Sequence, residues 1–374
     1  MNNHSHILVI GGGLAGLCSA IHLAKSGIEV TLIEKDTYPR HKVCGEYISN
    51  EVLPYFEYLG IQIDQLQAVN ISKLNISTQK GDVIQASLPL GGFGISRYTL
   101  DYHLWQMADR LGVNLINDQV TSVSYSQEKF VIGTSNTQTF ICDYVIGAHG
   151  KRSSIDKTLH RAADKSPWLA VKMHYEAKFN SQEVALHNFE GGYCGLSVVE
   201  NNLVNACYLV HYDSFKRFRN LESFQNEVLF GNPHLKAFFQ SAIPAFDKPL
   251  TISQVNFQKK KAIDQHVFMV GDAAGLIHPL CGNGMAMAIQ SAQILSQLLI
   301  KNYKGKTGFS RSVLEQQYEK EWKKAFGKRL YAGRVLQKVL LNHDMQRASY
   351  QLAKLIPSIV PKIIKQTHGE LLVC

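Results

Sequence analysis

Three glycines near the start of the chain, Gly11, Gly13 and Gly16, stand in GxGxxG spacing after a β-branched run (His6 to Ile10) and before an apolar-periodic one. Each missing side chain has a use there: the first permits a tight turn, the second lets backbone approach a pyrophosphate, and the third lets helix and strand pack. The phosphate would rest on the helix N-terminus, at Leu14 and Ala15, where free N–H groups and the dipole favour negative charge. Glu34 ends the next strand, with Lys35 after it, placed to accept hydrogen bonds from adenosine ribose hydroxyls. This points to a dinucleotide over a structural turn, without separating FAD from NAD.

A second glycine-rich loop makes that separation. Gly271-Asp272-Ala273-Ala274-Gly275, then Pro279, Gly282, Asn283, Gly284 and Met285, again follows a strand and opens a helix. Asp272 is placed to accept from a sugar-chain hydroxyl of a flavin, and the 282–285 amides to face the pyrimidine edge of the isoalloxazine, where the reduced ring is anionic. His278 and Cys281, on either side of Pro279, are candidates to reach the ring, and His278 is carried as a candidate catalytic residue; shaping the loop is the alternative for both.

With both loops in place, the chain resembles the superfamily of para-hydroxybenzoate-hydroxylase-type flavin monooxygenases and geranylgeranyl reductases over most of residues 5 to 300. The resemblance implies bound FAD, with NADPH or NADH as electron donor. Ser96-Arg97, followed by Leu100, Asp101 and Leu104, resembles the family helix whose arginine lies along the FAD, which implies that role for Arg97. Arg40 and the run Lys42-Val43-Cys44-Gly45-Glu46 resemble the loop that reaches the flavin in the reductase branch, implying that Cys44 and Gly45 stand near the ring. Family hydroxylases have Asp-Gly after the strand at Asp143 to Ala148; His149-Gly150 here weakens the implied nicotinamide contact. The YxWxFP run of the reductases and the WxWxIP run of the halogenases are absent, so halogenation is not expected.

Two chemistries fit such a scaffold. Placed first is monooxygenation, in which a flavin hydroperoxide hydroxylates or epoxidises a substrate in a dry, apolar site. The alternative is ene-reduction, in which reduced flavin gives a hydride to an alkene and Cys44 acts as the catalytic proton donor. A third reading is an electron-relay flavoprotein docking on an acidic partner. Residues 166–258 hold no organised arginine or histidine cluster, so the expected substrate is an apolar polyketide-, lipid- or isoprenoid-like small molecule. Tyr193, Tyr208, Phe189 and His174 are candidates to line its pocket, with a sheet core as the alternative.

These residues need an α/β fold: a Rossmann-type FAD-binding domain with an inserted antiparallel β-sheet substrate domain and C-terminal helices. The expected segments are 1–70, 97–165 and 259–310 for a discontinuous FAD domain, 71–96 and 166–258 for the sheet, and 311–374 for a basic helical region. A hairpin is expected over Ser72 to Leu88 with its turn at Lys80-Gly81-Asp82. Helices are expected over Tyr98 to Leu111, Asn283 to Ile300 and Ser312 to Asn342, with Pro357 and Pro361 interrupting the helical pattern nearer the C-terminus.

With 374 residues, 45% of them hydrophobic, the chain has ample material for a core. Its apolar runs are strand-length, so no transmembrane segment is expected, nor a secretory signal. Seven cysteines without CxxC or paired Cys/His spacing predict reduced thiols in cytoplasm and no metal site. The net charge of +9 concentrates in residues 301–374, with 15 Lys and Arg against five Asp and Glu. That tail is a candidate for peripheral membrane contact, an ordinary solvated helix being the alternative. Nucleic acid has no supporting motif, and oligomeric state is not specified.

Overall fold

A computed structural model of the protein describes residues 3–151, 153–161, 166–218, 220–277, 281–304, 310–341, 343–356 and 358–374. Strand β1 (Asn3–Ile10), helix α1 (Leu14–Lys25) and strand β2 (Val30–Glu34) form the opening βαβ unit. Gly11 adopts φ +106°, and Gly13 caps α1 without a side-chain hydrogen bond, so its first-turn amides are not claimed by a side chain. β3 (Tyr47–Ser49) and α2 (Leu53–Leu59) lead to the hairpin of β4 (Val69–Ser77) and β5 (Val83–Gly94). Gly81 turns that hairpin at φ +90°, its N–H donating to the Thr78 carbonyl.

Helix α3 (Arg97–Arg110) has Ser96 as N-cap, the Oγ accepting from the Thr99 amide. β6 (Asn114–Asn117), β7 (Val120–Ser126), β8 (Lys129–Thr134), β9 (Thr139–Gly147) and the short α4 (Ser154–Thr158) come next. The middle of the chain holds β10 (Trp168–Glu176), β11 (Glu183–Phe189), β12 (Gly192–Val198), β13 (Leu203–His211), α5 (Tyr212–Phe215), α6 (Leu221–Glu227), α7 (Pro233–Ser241), β14 (Ile243–Pro244) and β15 (Leu250–Ser253). The chain returns through β16 (Ile263–Asp264) and β17 (Val267–Met269) to α8 (Gly284–Lys304), and closes with α9 (Arg311–Leu341), α10 (His343–Leu355) and α11 (Ile359–Thr367).

Two sheets result. The first runs β16-β17-β9-β1-β2-β6, parallel from β17 to β6, with β7 and β8 attached beside β9. Its central strands are buried on both faces, β2 along its whole length, because α1 and α8 cover one side and the β7–β8 hairpin with α4 the other. The second sheet runs β14-β10-β13-β12-β11-β4-β5-β3, with β15 beside β10. It departs from a purely antiparallel expectation at one place: β4 and β11 pair in parallel, Leu74 opposite Val184, which joins the early hairpin to the later strands. Residues 47–49 already belong to this sheet through β3, which pairs with β5. Pro361 does not end a helix; it sits in the first turn of α11, where a missing N–H costs no intrahelical bond. Pro357 lies outside the described residues.

Candidate functional site

A cavity of about 1400 Å³ lies between the two sheets. That exceeds the range of roughly 300–1,000 Å³ typical of a single small-ligand pocket and suits a cofactor with a second ligand. Gly11, Gly13, Leu14 and Ala15 line one end together with Glu34, Lys35 and Arg40. Gly16 lies behind them, where an added Cβ would stand 1.9 Å from the Gly11 carbonyl oxygen, so this glycine serves packing. Glu34 is held rigidly, its carboxylate accepting from the Gly12 amide at 2.7 Å and the Asp36 amide at 3.0 Å, with Arg40 Nη2 at 3.1 Å. The Arg97 guanidinium and the Lys42 ammonium approach the turn, each 3.8 Å from where a Gly13 Cβ would be. Two cations, an uncapped helix start and a cradle that excludes side chains fit a pyrophosphate, and these residues would hold FAD.

The second loop faces the same cavity with Gly271, Asp272, Cys281, Gly282, Gly284 and Met285. Gly271 and Gly282 have φ of +60° and +62°, and the Gly271 amide donates to Ser291 Oγ at 2.8 Å. Asp272 Oδ2 is 4.0 Å from Lys151 Nζ. The Asn283 side chain is fully buried and donates to the Thr367 carbonyl at 2.8 Å, tying α11 to this loop. Burial pushes the Cys281 thiol up to about 12. His278 and Pro279 lie outside the described residues. His149 lines the cavity with its ring turned to Asp156, Nε2 to Oδ1 at 3.3 Å. Burial opposes charge on Asp156, but His149, Lys260 and Arg161 outweigh it and hold the carboxyl below its ordinary value.

Cys44 and Gly45 stand on the cavity wall where the two sheets meet. Cys44 Sγ is 3.5 Å from Met285 Sδ at the start of α8. Arg97 binds Asp101 through two nitrogens at 2.7 Å and lies against Cys44. Burial works against its charge, yet Asp101 and the thiol keep the guanidinium firmly protonated. Backbone contacts lock the loop to the second sheet: Asn205 Nδ2 donates to the Cys44 carbonyl at 3.2 Å, and Ser197 Oγ to that of Gly45 at 3.3 Å.

Sequence reasoning gave no role to Glu46 or Lys172. Glu46 is buried at φ +53°, and its carboxylate accepts from Lys172 Nζ at 2.5 Å, His174 Nε2 at 2.6 Å and the Arg97 amide at 2.8 Å. Burial opposes its charge, but Lys172 and His174 hold the carboxyl below the usual range. His174 therefore packs in this cluster, and Phe189 in the core with Tyr208 and Phe224, while Tyr193 and Tyr208 line the cavity.

Away from the glycine loops the cavity is apolar. Leu74, Ile76, Ile84, Leu88, Val184 and Leu186 of the second sheet form its floor, and residues of α9, α10 and α11, among them Val335, Ala353, Val360 and Ile364, form its roof. Glu51 latches that roof: its carboxylate takes Arg329 Nη1 at 3.2 Å and the Gly369 amide at 2.6 Å, and its carbonyl takes the Leu372 amide at 2.8 Å. Among the described residues no group of three or more His, Cys, Asp or Glu side chains is arranged to hold a metal, and no helix is long and apolar enough to cross a membrane.

The family model of the FAD binding domain matches residues 4–330. The digeranylgeranylglycerophospholipid reductase of Methanococcus vannielii is 26% identical over 342 residues, covering 85% of this chain and 82% of that protein. Ubiquinone hydroxylase UbiM of Neisseria meningitidis is 23% identical over 346 residues, covering 84% and 73%. Among solved structures, the flavin-dependent brominase Bmp2 superposes with a TM-score of 0.79 at 15% identity, covering 100% of this chain and 95% of that one; this is a likeness of fold.

Proposed function

We propose that this chain, which belongs to the FAD-binding-domain family and is an FAD-dependent oxidoreductase, reduces a carbon–carbon double bond of an apolar, isoprenoid-like substrate with Cys44 as proton donor. The observation that carries the reading is the place of Cys44, on the wall where the two glycine loops and the apolar chamber meet, 3.5 Å from Met285 and against Arg97. FAD, when bound and reduced by NADPH or NADH, would supply the hydride. The proton for the other alkene carbon must come from a group facing the same chamber, and Cys44 offers one. Arg97 then stands near enough to the sulfur to stabilise negative charge on it. Asp272 and Glu34 would orient the cofactor's hydroxyls, and the roof of α9 to α11 would keep water out.

An apolar lining over the floor and roof supports an apolar substrate, as do a relative named for reducing a digeranylgeranyl lipid and another for hydroxylating ubiquinone. Monooxygenation, which the sequence alone places first, becomes the second reading; the apolar lining suits it too, but it gives Cys44 no task. Electron relay to an acidic partner explains neither the chamber nor the thiol. We further propose that the basic, apolar-tipped helices α10 and α11 bring the chamber to a lipid surface.

Cys44→Ser tests the proton-donor role. Flavin reduction by NADPH should stay normal, while oxidation of the reduced protein by an isoprenoid alkene falls by about 10²-fold or more. Unchanged turnover would make Cys44 a packing residue.

A further inference from the structure

Glu46 occupies a left-handed backbone position that glycine adopts without strain, and what it supplies there beyond glycine is its carboxylate. That carboxylate and Lys172 are fully removed from solvent and His174 almost so. Burying charges costs hydration that the pairing recovers only in part, and apolar side chains of similar volume commonly stabilise as well or better. Stability alone therefore does not account for the cluster.

Its connections all converge two residues away. Glu46 receives the Arg97 amide through its side chain and the Ile95 amide, at 3.2 Å, through its own carbonyl. It thus fixes the helix start whose guanidinium lies against Cys44. Through Lys172 and His174 it binds the same loop to β10. The charged and titratable groups around this loop are Lys42, paired with Asp101, Arg97 of α3, paired with the same carboxylate, and Lys172 and His174 of β10, paired with Glu46; Cys207 of β13, opposite Lys172 in register, lies within the field of Cys44, Lys172 and Lys151, and Met285 of α8 adds a neutral sulfur. Asp101 answers Arg97 and Lys42, and Glu46 is the carboxylate that answers Lys172.

We propose that Glu46 is a positioning residue that holds Cys44 at the cavity wall and restrains the reactivity of its thiol by balancing Lys172 and the helix start bearing Arg97. Removing the carboxylate leaves Lys172 without its partner beside this loop, while Asp101 still answers Arg97 and Lys42; the added positive field favours thiolate. The inference concerns the site of the proposed reaction without needing that reaction.

The test is the pH profile of Cys44 alkylation by iodoacetamide in the flavin-loaded full chain without substrate, with peptide mass mapping because other cysteines are present. In Glu46→Gln the midpoint should fall by about one pH unit and the rate at neutral pH rise by up to about tenfold. Glu46→Gly, which relaxes the backbone while removing the carboxylate, should shift the profile the same way, and Lys172→Met should slow alkylation. Profiles matching the wild type in Glu46→Gln or Glu46→Gly would overturn the proposal. A shifted midpoint together with normal alkene reduction by Cys44→Ser would instead refute the proton-donor reading and leave this one standing.

Discussion

A single carbon added at Gly16 would meet the Gly11 carbonyl at 1.9 Å, and backbone has no rotamer with which to yield. Gly16→Ala should therefore cost on the order of 1–3 kcal/mol and lower flavin content, read by thermal melting and the absorbance of the purified protein. Asp272→Ala removes a partner for the flavin's sugar chain and should weaken FAD retention by about five- to tenfold, checked by equilibrium dialysis; unchanged retention would take the residue out of the site. The glycine turns were legible because a glycine turn between strand and helix is a local pattern whose spacing comes from backbone geometry. Glu46 was not, since its partners Lys172 and His174 are 126 and 128 residues away and each reads alone as an ordinary polar residue. A faint signal existed: Lys172 lies within Trp168–Tyr175, a stretch too apolar for a solvated lysine.

At the scale of elements, helices with strong periodicity fell close to their expected bounds, as α3, α8 and α9 do. The parallel pairing of β4 with β11 was hidden, because register between strands about 110 residues apart depends on tertiary packing. Two buried histidines make the packing sensitive to pH. His22, under α2 and bonded to Tyr55 at 2.9 Å, and His187, stacked on His234, are both depressed to about 4, mainly by burial. A base with a lowered folded pKa stabilises the neutral fold above its ordinary value near 6.5, and that contribution drains away as pH falls toward 4. Stability should fall across this window, by about 3 kcal/mol per histidine once pH is below both values, read as a lower melting temperature, and His187→Gln should flatten the slope. In the roof, Glu51→Ala would strand the buried Arg329 and should cost about 3–5 kcal/mol, with faster proteolysis of the C-terminal helices.

Seen whole, the molecule places its net charge where its apolar chamber is roofed. Leu352, Leu355 and Ile356 of and after α10, at helical spacing, are exposed beside Lys354, and Ile363 of α11 beside Lys362 and Lys365; Leu355 is 81% exposed. Binding to anionic vesicles that weakens as salt rises would support a lipid-facing roof, and equal binding to neutral vesicles would argue against a charge contribution. We propose that the two glycine loops, Cys44 and the chamber together form an alkene-reducing site. Its most direct test is to reduce the protein anaerobically, mix it with an isoprenoid alcohol bearing internal double bonds, and monitor flavin absorbance. Recovery of the oxidised spectrum without oxygen, with two hydrogens gained by the product, is the predicted result. Recovery only on admitting oxygen, with an oxygen atom in the product, would contradict it.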